Sequence, residues 1–414
     1  MSTGRAWARG DTGPLHPLTI RTERTILAVV HGAQSGDRLN DFLDLIERDP
    51  RIQVVWSLAP GSCFERSGRE FLRDMDAAVL PWEEAVRHRY DLVLAANQGL
   101  LEQVRGPALI LPHGTGVSRM VVRGSGYGPA VARPVGGAVY GALVRYGRIV
   151  PAAVGIAHSD QRSIFTDLDT AFESVVHVVG DPCFDRALSA LPRREEFRRA
   201  VGVAADEHLV VVSSSWGRTG VWGVNPDIVD RLMRDLPHGH VAAMILHPGI
   251  WWVHGPRQVL AWLHDARHRG LRVLAPFADW QGLLVAADVV MGDPGSVTAY
   301  AAGLGAPTLL AGGGLVDVAP GSTPELLHRI TPNLPVGEHA VAHLEDIVER
   351  WSPEWSARVY ARLTSVPGRS AGLIRALSYR LMDLAEPVVP AVLSPLSGPT
   401  FVGSASMKEG WRAA

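Results

Sequence analysis

The segment from Gly292 to Val297, Gly-Asp-Pro-Gly-Ser-Val, has the residue types of a phosphate-binding turn. The mostly apolar run 288–291 before it predicts a short buried strand, and the glycines and proline then require a turn. Ser296 is a good N-cap for the helix that we expect next. Backbone N–H groups and the positive end of the dipole at such a helix N-terminus favour a phosphate. An ordinary strand-to-helix turn, ordered by Asp293, has the same pattern.

Polar residues also follow four other predicted strands. They are His31 and Gly32 after 25–30, His113, Gly114 and Thr115 after 108–111, Ser214, Ser215 and Arg218 after 209–213, and His247 after 241–246. In open α/β sheets, ligands bind outside the carboxyl ends of the strands, so these residues are candidates for binding or catalysis. The alternatives are a simple turn at His31, hydrogen-bonded structural roles for His113 and His247, and a solvated surface charge for Arg218.

Other kinds of active site find little support in the sequence. There is no GxSxG, HExxH or Walker segment, which disfavours serine-hydrolase, zinc-metalloprotease and P-loop readings. His158, Ser159 and Asp160 are sequence neighbours and cannot form a catalytic triad on consecutive positions. Cys63 and Cys183 are far apart and form no CxxC pair, so we expect neither a disulfide framework nor a metal site.

The elements that position these residues alternate between strands and helices, which indicates α/β domains with parallel sheets. At 414 residues, the chain is long enough for two domains. We expect a flexible leader at 1–22, an N-terminal Rossmann-like domain at 23–178, a C-terminal Rossmann-like domain at 179–386 and a mobile tail at 387–414. The first helix is expected at 38–48, after a turn over 31–37.

The charge and the distribution of apolar residues indicate which classes of partner the protein has. The formal net charge is −2, without the basic excess typical of nucleic-acid binders, so no nucleic-acid partner is expected. The residues around Arg5 and Arg9 include no apolar run of the kind found in signal peptides. No stretch approaches the roughly 18 apolar residues of a spanning helix. We therefore expect a cytoplasmic protein, with peripheral membrane contact and oligomeric state left open.

Six segments resemble, in order, motifs of the CDP-glycerol glycerophosphotransferase family of teichoic-acid polymerases and primases. Residues 111–119 are similar to the family's W-H-G-T-P-L-K segment, 180–185 to G-x-P-R-x-D, 214–218 to P-T-W-R, 246–248 to L-H-P, 279–288 to the L-L-x-x-x-D helix, and 292–297 to T-D-Y-S-S-V. The resemblance implies a GT-B fold, in which two Rossmann-like domains face each other across an interdomain cleft. It also implies an N-terminal acceptor domain, a C-terminal nucleotide-binding domain and no required metal or cofactor.

Under this resemblance, the candidate residues take roles in group transfer. His113 serves as general base, since an unperturbed imidazole has a pKa near 6.5. His247, Ser214, Ser215 and Arg218 contact the donor phosphates, together with Gly295, Ser296 and Val297. Asp293 orders the turn or holds a donor hydroxyl. His31, Gly32, Gly114 and Thr115 lie on the acceptor side.

Three departures separate the chain from the family pattern. The lysine of W-H-G-T-P-L-K is either replaced by Arg119 or absent, Cys183 or Phe184 stands for the arginine of G-x-P-R-x-D, and Gly295 replaces a serine of T-D-Y-S-S-V. These changes leave the donor and the acceptor open, because they affect charges and hydroxyls that would contact them.

The sequence therefore predicts a metal-independent transferase that moves a glycosyl or glycerophosphoryl group from a nucleotide-diphosphate donor to a hydroxyl, in cell-wall polymer biosynthesis. One alternative is a nucleotide-sugar epimerase or hydrolase of the UDP-sugar 2-epimerase type, with Asp181 and Asp293 as its acidic candidates. A second is a non-catalytic nucleotide-binding relative. The pair Trp251 and Trp252 is assigned either to a donor pocket or to the core.

Overall fold

The computed structural model describes residues 20, 22–62, 64–75, 77–111, 114–116, 119–123, 131–135, 140–312 and 318–403. Their contacts divide the chain into two compact units. The first contains the described parts of 1–116, 136–183 and 364–394, and the second contains those of 117–135, 184–363 and 395–414. Of the predicted leader, only Ile20 and Thr22 are described.

The strands, numbered along the chain, are β1 (Arg24–Val30), β2 (Ile52–Leu58), β3 (Val79–Leu80), β4 (Leu92–Ala95), β5 (Ala108–Ile110), β6 (Arg119–Arg123), β7 (Val131–Val135), β8 (Val144–Arg145), β9 (Arg148–Ile149), β10 (Ala153–Ile156), β11 (Val176–Val178), β12 (His208–Ser214), β13 (His240–Leu246), β14 (Arg272–Val273), β15 (Val289–Gly292), β16 (Thr308–Ala311) and β17 (Asn333–Leu334).

The α-helices are α1 (Ala33–Leu43), α2 (Glu65–Asp74), α3 (Trp82–Ala85), α4 (Tyr140–Leu143), α5 (Ser163–Thr166), α6 (Pro182–Ala190), α7 (Arg194–Val201), α8 (Val221–Val224), α9 (Ile228–Asp235), α10 (Pro248–His254), α11 (Pro256–Trp262), α12 (His264–His268), α13 (Trp280–Ala286), α14 (Ser296–Gly303), α15 (Thr323–Ile330), α16 (Ala340–Arg350), α17 (Pro353–Leu363) and α18 (Ser370–Leu381).

The first unit contains a seven-stranded sheet in the order β11-β10-β5-β4-β1-β2-β3. Its strands pair in parallel, and residues 26–30 of β1 are fully buried. A strand buried on both faces is a continuous apolar run, which is why the sequence pattern reveals it. Strand order reverses between β1 and β4, because β2 and β3 lie on one side of β1 and the later strands lie on the other.

The second unit contains a six-stranded sheet in the order β14-β13-β12-β15-β16-β17, also parallel. This is the strand order of a dinucleotide-binding Rossmann sheet, with the reversal between β12 and β15. Two small antiparallel pairs, β6 with β7 and β8 with β9, lie outside the large sheets. The predicted α/β class with two parallel-sheet domains is confirmed.

The first helix begins earlier than the sequence pattern suggests. The turn predicted over 31–37 is only two residues long, and α1 occupies Ala33–Leu43 instead of 38–48. Gly32 is the N-cap, and the Ser35 hydroxyl accepts hydrogen bonds from the N–H groups of His31 (3.0 Å) and Gly32 (3.1 Å). The Ser35 hydroxyl thus satisfies the N–H groups just before the helix, so the helix can begin directly after a two-residue turn.

The chain returns to the first unit near its C-terminus, whereas the sequence places all of 179–386 in the second domain. The Arg24 side chain donates to the carbonyl of Met382 (2.7 Å), and Tyr379 Oη donates to Asp49 Oδ2 (2.7 Å). Helix α18 is thereby fixed to the first sheet. These contacts join residues more than 300 positions apart, which local patterns cannot reveal.

The Pro- and Ser-rich tail is bonded to both units through its described part, 387–403. The N–H of Ser394 donates to Asp44 Oδ2 (2.9 Å), and that of Ser397 donates to Asp279 Oδ2 (2.8 Å). Further on, Ala275 N donates to the carbonyl of Thr400 (2.9 Å). The tail predicted to be mobile is therefore held by hydrogen bonds up to this point. Among the described residues, no helix is both long and apolar enough to cross a membrane.

Asp49 provides a test of the α18 attachment. Its hydrogen bond with Arg51 (2.6 Å), aided by Tyr379, lowers the pKa of its carboxyl to about 2. A carboxyl with a depressed native pKa stabilises the fold above its unfolded pKa, and that stabilisation disappears as pH falls towards 2. We expect Asp49→Asn to lower the free energy of unfolding by about 2 kcal/mol at pH 7. The difference from the wild type should shrink between about pH 5 and pH 2.

Urea unfolding at a series of pH values checks this prediction, with Asp346→Asn as control. Asp346 pairs with Arg350 and both side chains are largely exposed, so its loss should cost less than about 1 kcal/mol. A pH-independent difference between Asp49→Asn and the wild type would contradict the role assigned to Asp49.

Candidate functional site

The candidate site of the second unit lies where its strand order reverses. Ser213 of β12 pairs with Gly292 of β15, and Ser214 of β12 pairs with Leu246 of β13. The residues that follow these three strands therefore start from one edge of the sheet. The loop after β12 leads to one side of the sheet and that after β15 leads to the other, which leaves a crevice between them.

Asp293 joins the two sides of this crevice. Its side chain is 2 % exposed, and its Oδ2 accepts hydrogen bonds from the N–H groups of Ser215 (2.6 Å) and Val221 (3.2 Å). Its backbone carbonyl accepts from Thr298 Oγ1 (2.7 Å). A buried carboxylate is costly unless it is hydrogen-bonded, and these donors offset that cost. Asp293 thus has the turn-ordering geometry that was one of its two predicted roles.

The turn after β15 is set by close packing. A Cβ atom at Gly292 would lie 2.4 Å from Thr298 Oγ1, so a side chain there would collide with α14. Gly295 is the N-cap, with an extended backbone, and α14 begins at Ser296. The prediction of Ser296 as N-cap is therefore wrong by one residue. The first N–H groups of α14, from Ser296 and Val297 onward, have no acceptor within the helix and lie at this turn.

His247 caps the neighbouring helix at the end of β13. Its Nδ1 accepts a hydrogen bond from the N–H of Gly249 (2.9 Å). In the neutral ring, an accepting Nδ1 places the proton on Nε2, so Nε2–H is the donor that His247 can offer. The Trp216 ring lies 6.3 Å from the imidazole, centroid to centroid. This geometry suits an uncharged donor to an anionic oxygen.

The serines after β12 differ in their surroundings. Ser214 is buried, and its Oγ accepts from Trp222 N (3.1 Å) and donates to the carbonyl of Ser215 (3.0 Å). Ser215 offers its N–H to Asp293, as described above. Arg218 is exposed, and within the described part of the chain it makes no ion pair. Only Arg218 of these three therefore brings an uncommitted charge to this edge.

Trp251 and Trp252 belong to the core. Trp251 is fully buried, and Trp252 packs edge-on against Phe277, with ring centroids 5.3 Å apart. Of their two predicted assignments, the structure therefore gives core packing.

In the first unit, His31 spans the point where strand order reverses. Its Nε2 lies 2.7 Å from the carbonyl of Gly99, to which it donates, and its ring is largely buried. Gly32 allows α2 to approach α1, because a Cβ there would lie 2.7 Å from the Cβ of Phe64. The His31 side chain therefore connects the end of β1 to the loop after β4.

The segment after β5 is described only in part. Pro112 and His113 lie outside the described residues, so the structure does not test the general-base hypothesis. The carbonyl of Thr115 accepts a hydrogen bond from Gln161 Nε2 (3.4 Å), and Gly114 has a φ of 68°, which favours glycine. Gln161 Oε1 also accepts from the N–H of Ala157 (3.0 Å). Gln161, which the sequence did not single out, thus links the ends of β5 and β10.

Asp181, a candidate acid, is buried in an ion pair with Arg38 at 3.4 Å. Arg38 also pairs with Asp41 at 3.3 Å, and all three side chains are more than nine-tenths buried. At the positions that depart from the family motif, Cys183 is buried and Phe184 stacks on Tyr300 with centroids 5.8 Å apart. The lost motif arginine is therefore replaced by apolar packing.

Comparison with solved structures identifies the fold. A variant of the wall teichoic acid polymerase TagF matches with a TM-score of 0.56 and 13% identity over 87% of this chain and 89% of that chain. TagF soaked with CDPG matches with a TM-score of 0.54 and 14% identity over 87% and 88%. Anabaena HepE in complex with UDP-glucose matches with a TM-score of 0.43 and 17% identity over 87% and 95%.

Neither a protein-family model nor a curated protein sequence matches the chain. At 13 to 14% identity, the similarity to TagF establishes the fold. The chain has the GT-B-like α/β fold that the motif resemblance predicts, in a divergent form.

Replacing Asp293 tests whether its carboxylate holds this site together. Asp293→Ala leaves the N–H groups of Ser215 and Val221 without their acceptor in a buried position. We expect it to lower the free energy of unfolding by about 2 to 4 kcal/mol. Asp293→Asn keeps one acceptor oxygen and should cost less. Urea unfolding followed by tryptophan fluorescence measures both, and exposed Asp265→Ala is the control. Equal stability of Asp293→Ala and the control would contradict the assignment.

Proposed function

We propose that the chain is a transferase that moves a glycosyl or glycerophosphoryl group from a nucleotide-diphosphate donor to a hydroxyl acceptor. The observation that carries the proposal is the turn at the strand reversal of the second unit, held by buried Asp293 and leading into α14. The GT-B-like fold supports the same interpretation, since it provides the framework on which such a site is expected.

The second unit offers three kinds of hydrogen-bond donor to a diphosphate. The first-turn N–H groups of α14 are hydrogen-bond donors, and the Asp293 carboxylate just before that turn accepts from the N–H groups of Ser215 and Val221. His247 adds its imidazole from the end of β13, two strands away from β15, and Arg218 adds a charge that forms no ion pair with any other described residue. Together these groups would stabilise the negative charge that develops on the leaving diphosphate. No metal is required in this scheme.

The acceptor hydroxyl needs a base, and His113 is the proposed one. In the sequence it comes three residues after the end of β5 and directly before Gly114. His31, Gly32, Gly114 and Thr115 are proposed to shape the acceptor side. Because His31 donates to the carbonyl of Gly99, we assign it a positioning role on this side.

For the donor, CDP-glycerol is the first compound to test, because TagF is a teichoic acid polymerase that has been soaked with CDPG. The same proposal places the enzyme in cell-wall polymer synthesis. It would act in the cytoplasm or at the inner surface of the membrane. Apolar packing of Cys183 and Phe184 shows that the charge expected from the family motif is missing there. UDP- and GDP-linked donors therefore belong in the same test.

The epimerase or hydrolase alternative is weakened by the partners of its two candidate acids. Asp181 is ion-paired with buried Arg38, and Asp293 accepts two backbone hydrogen bonds. A group that must exchange a proton with substrate is poorly placed in either environment. A donor and acceptor panel separates the functions. Release of nucleotide only with an acceptor supports a transferase, release without one an epimerase or hydrolase, and no turnover the non-catalytic relative.

Substitutions at Gly295 and Ser296 test whether the turn between β15 and α14, which we call the phosphate turn, binds a phosphate. A Cβ at Gly295 would lie 3.2 Å from Asp293 Oδ1 and the backbone is extended, so folding of the variant is measured together with its binding. We expect Gly295→Val to weaken nucleotide-diphosphate binding at least about tenfold, since its branched side chain blocks approach to the N–H groups of α14. Ser296→Ala should weaken binding only modestly, because the hydroxyl is one donor among several.

Titration calorimetry with the best-binding nucleotide measures these affinities. Asp206→Asn, an exposed change in the loop before β12, is the matched control. If Gly295→Val and the wild type are both folded and bind the nucleotide with equal affinity, this turn does not bind the phosphate.

His113→Ala tests the general base. We expect nucleotide binding to be nearly unchanged and turnover to fall by about 10² to 10⁴-fold. The remaining activity should lose the acidic limb of its pH profile, because that limb reports deprotonation of the base. Steady-state rates between about pH 5 and 9 measure both effects. A folded mutant with wild-type turnover would exclude His113 from the mechanism, whereas loss of stability and binding together would make it structural.

A further inference from the structure

A cavity of about 480 Å³ lies next to the phosphate turn, wholly within the second unit. Its walls come from the end of β12 and from helices α8 to α11. Its lining includes Ser215, Arg218, Trp222, Asp227, Asp230 and Trp262. The size is that of a small-molecule site. The transferase proposal uses only Ser215 and Arg218 of these residues, so the remaining wall has no assigned role.

Aromatic rings form one part of this wall. The Trp222 and Trp262 rings meet nearly at right angles, 79°, with centroids 5.8 Å apart. The His254 ring packs against Trp262 at 5.0 Å. Trp222 is fixed by a hydrogen bond from its Nε1 to the carbonyl of Pro226 (3.1 Å). Trp262 is 48% exposed, so part of its ring is accessible to a ligand.

Carboxylates form another part. Asp227 and Asp230 come from the start of α9, and neither makes an ion pair with any other described residue. The Oδ1 atom of Asp230 is buried and has no hydrogen-bond partner among the described residues. A buried carboxylate oxygen without a donor is costly, so a bound donor would stabilise it. Ser215 Oγ, in the same wall, is buried without a partner as well.

We propose that this cavity binds an organic ammonium group, held by the faces of Trp222 and Trp262 and by Asp230 and Asp227. Tryptophan faces attract cations, and carboxylates supply the opposite charge. A phosphate alone is disfavoured, because two acids and one arginine leave the lining with a net negative charge. A neutral ring could stack on the tryptophans, but it would leave both acids without a counter-charge.

Arg218 indicates that the ammonium compound can also carry a phosphate group. It lines the same cavity, so an ammonium compound that also carries a phosphate finds a cation for that phosphate. The shared chemistry is the ammonium group, and its source is either a free amine or an amine on a phosphorylated compound. The binding site stands independently of the transferase proposal; only the second source would link it to the donor or acceptor of that reaction.

Binding of choline, ethanolamine and phosphocholine, measured by titration calorimetry on the full chain, tests the proposal. The neutral isostere of choline, 3,3-dimethylbutan-1-ol, is the matched ligand control. We expect saturable binding of at least one amine and at least about tenfold weaker binding of the neutral alcohol. Stronger binding of phosphocholine than of choline, with the gain lost in Arg218→Met, indicates a phosphorylated source. Equal binding of the two indicates a free amine.

Substitutions in the cavity wall separate the contribution of the carboxylate charge to amine binding from that of the aromatic rings. Asp230→Asn and Trp262→Leu should each weaken amine binding about tenfold, and Trp262→Phe should retain part of it. Asp206→Asn, outside the cavity, should leave it unchanged. Melting temperatures without ligand show whether each variant is folded. The proposal is overturned if choline and its neutral isostere bind equally, or if no amine binds up to about 10 mM. Nucleotide binding, measured separately with Gly295→Val, fails or survives independently of these outcomes.

Discussion

The hydrogen bonds accepted by the Asp293 carboxylate connect most of what is functionally interesting in the second unit. This one buried group receives the N–H groups of Ser215 and Val221, while its own carbonyl receives the hydroxyl of Thr298. It therefore positions the loop after β12, the start of α8 and the first turn of α14 together. An uncompensated carboxylate in this place would be strongly unfavourable, so these segments cannot shift independently.

The aromatic–acidic cavity depends on the same anchor. Ser215 begins the segment that includes Arg218 and Trp222, and both of these line the cavity. The phosphate turn and the proposed ammonium site are thus built on two sides of one loop. The loop between β12 and α8 therefore contributes to both of the proposed sites.

Buried polar contacts also hold the carboxyl edge of the first sheet together, and they include residues that the sequence singles out as functional candidates. His31 donates to Gly99, Asp181 pairs with Arg38, and Gln161 links two strand ends. Their polar groups are engaged within the protein, as buried polar groups normally are. These contacts therefore contribute to the fold of this edge of the sheet.

The sequence by itself determined the α/β class, most strands and the turn at 292–297. This was possible because parallel strands are continuous apolar runs and because glycine and proline mark turns locally. It did not determine that α1 starts at Ala33, that Ser296 follows the cap, or that α18 returns to the first unit. Those features depend on the Ser35 cap, the Thr298 contact and the Tyr379–Asp49 hydrogen bond.

Only the tertiary structure brought Trp222, Asp230 and Trp262 into one cavity. These residues come from three helices that follow two different strands, and each is unremarkable within its own segment. Sequence periodicity reports which face of an element is buried, but not which faces of distant elements meet. The same holds for Asp293, whose residue type was visible in the sequence but whose partners 72 to 78 positions away were decided by the packing of β12 beside β15.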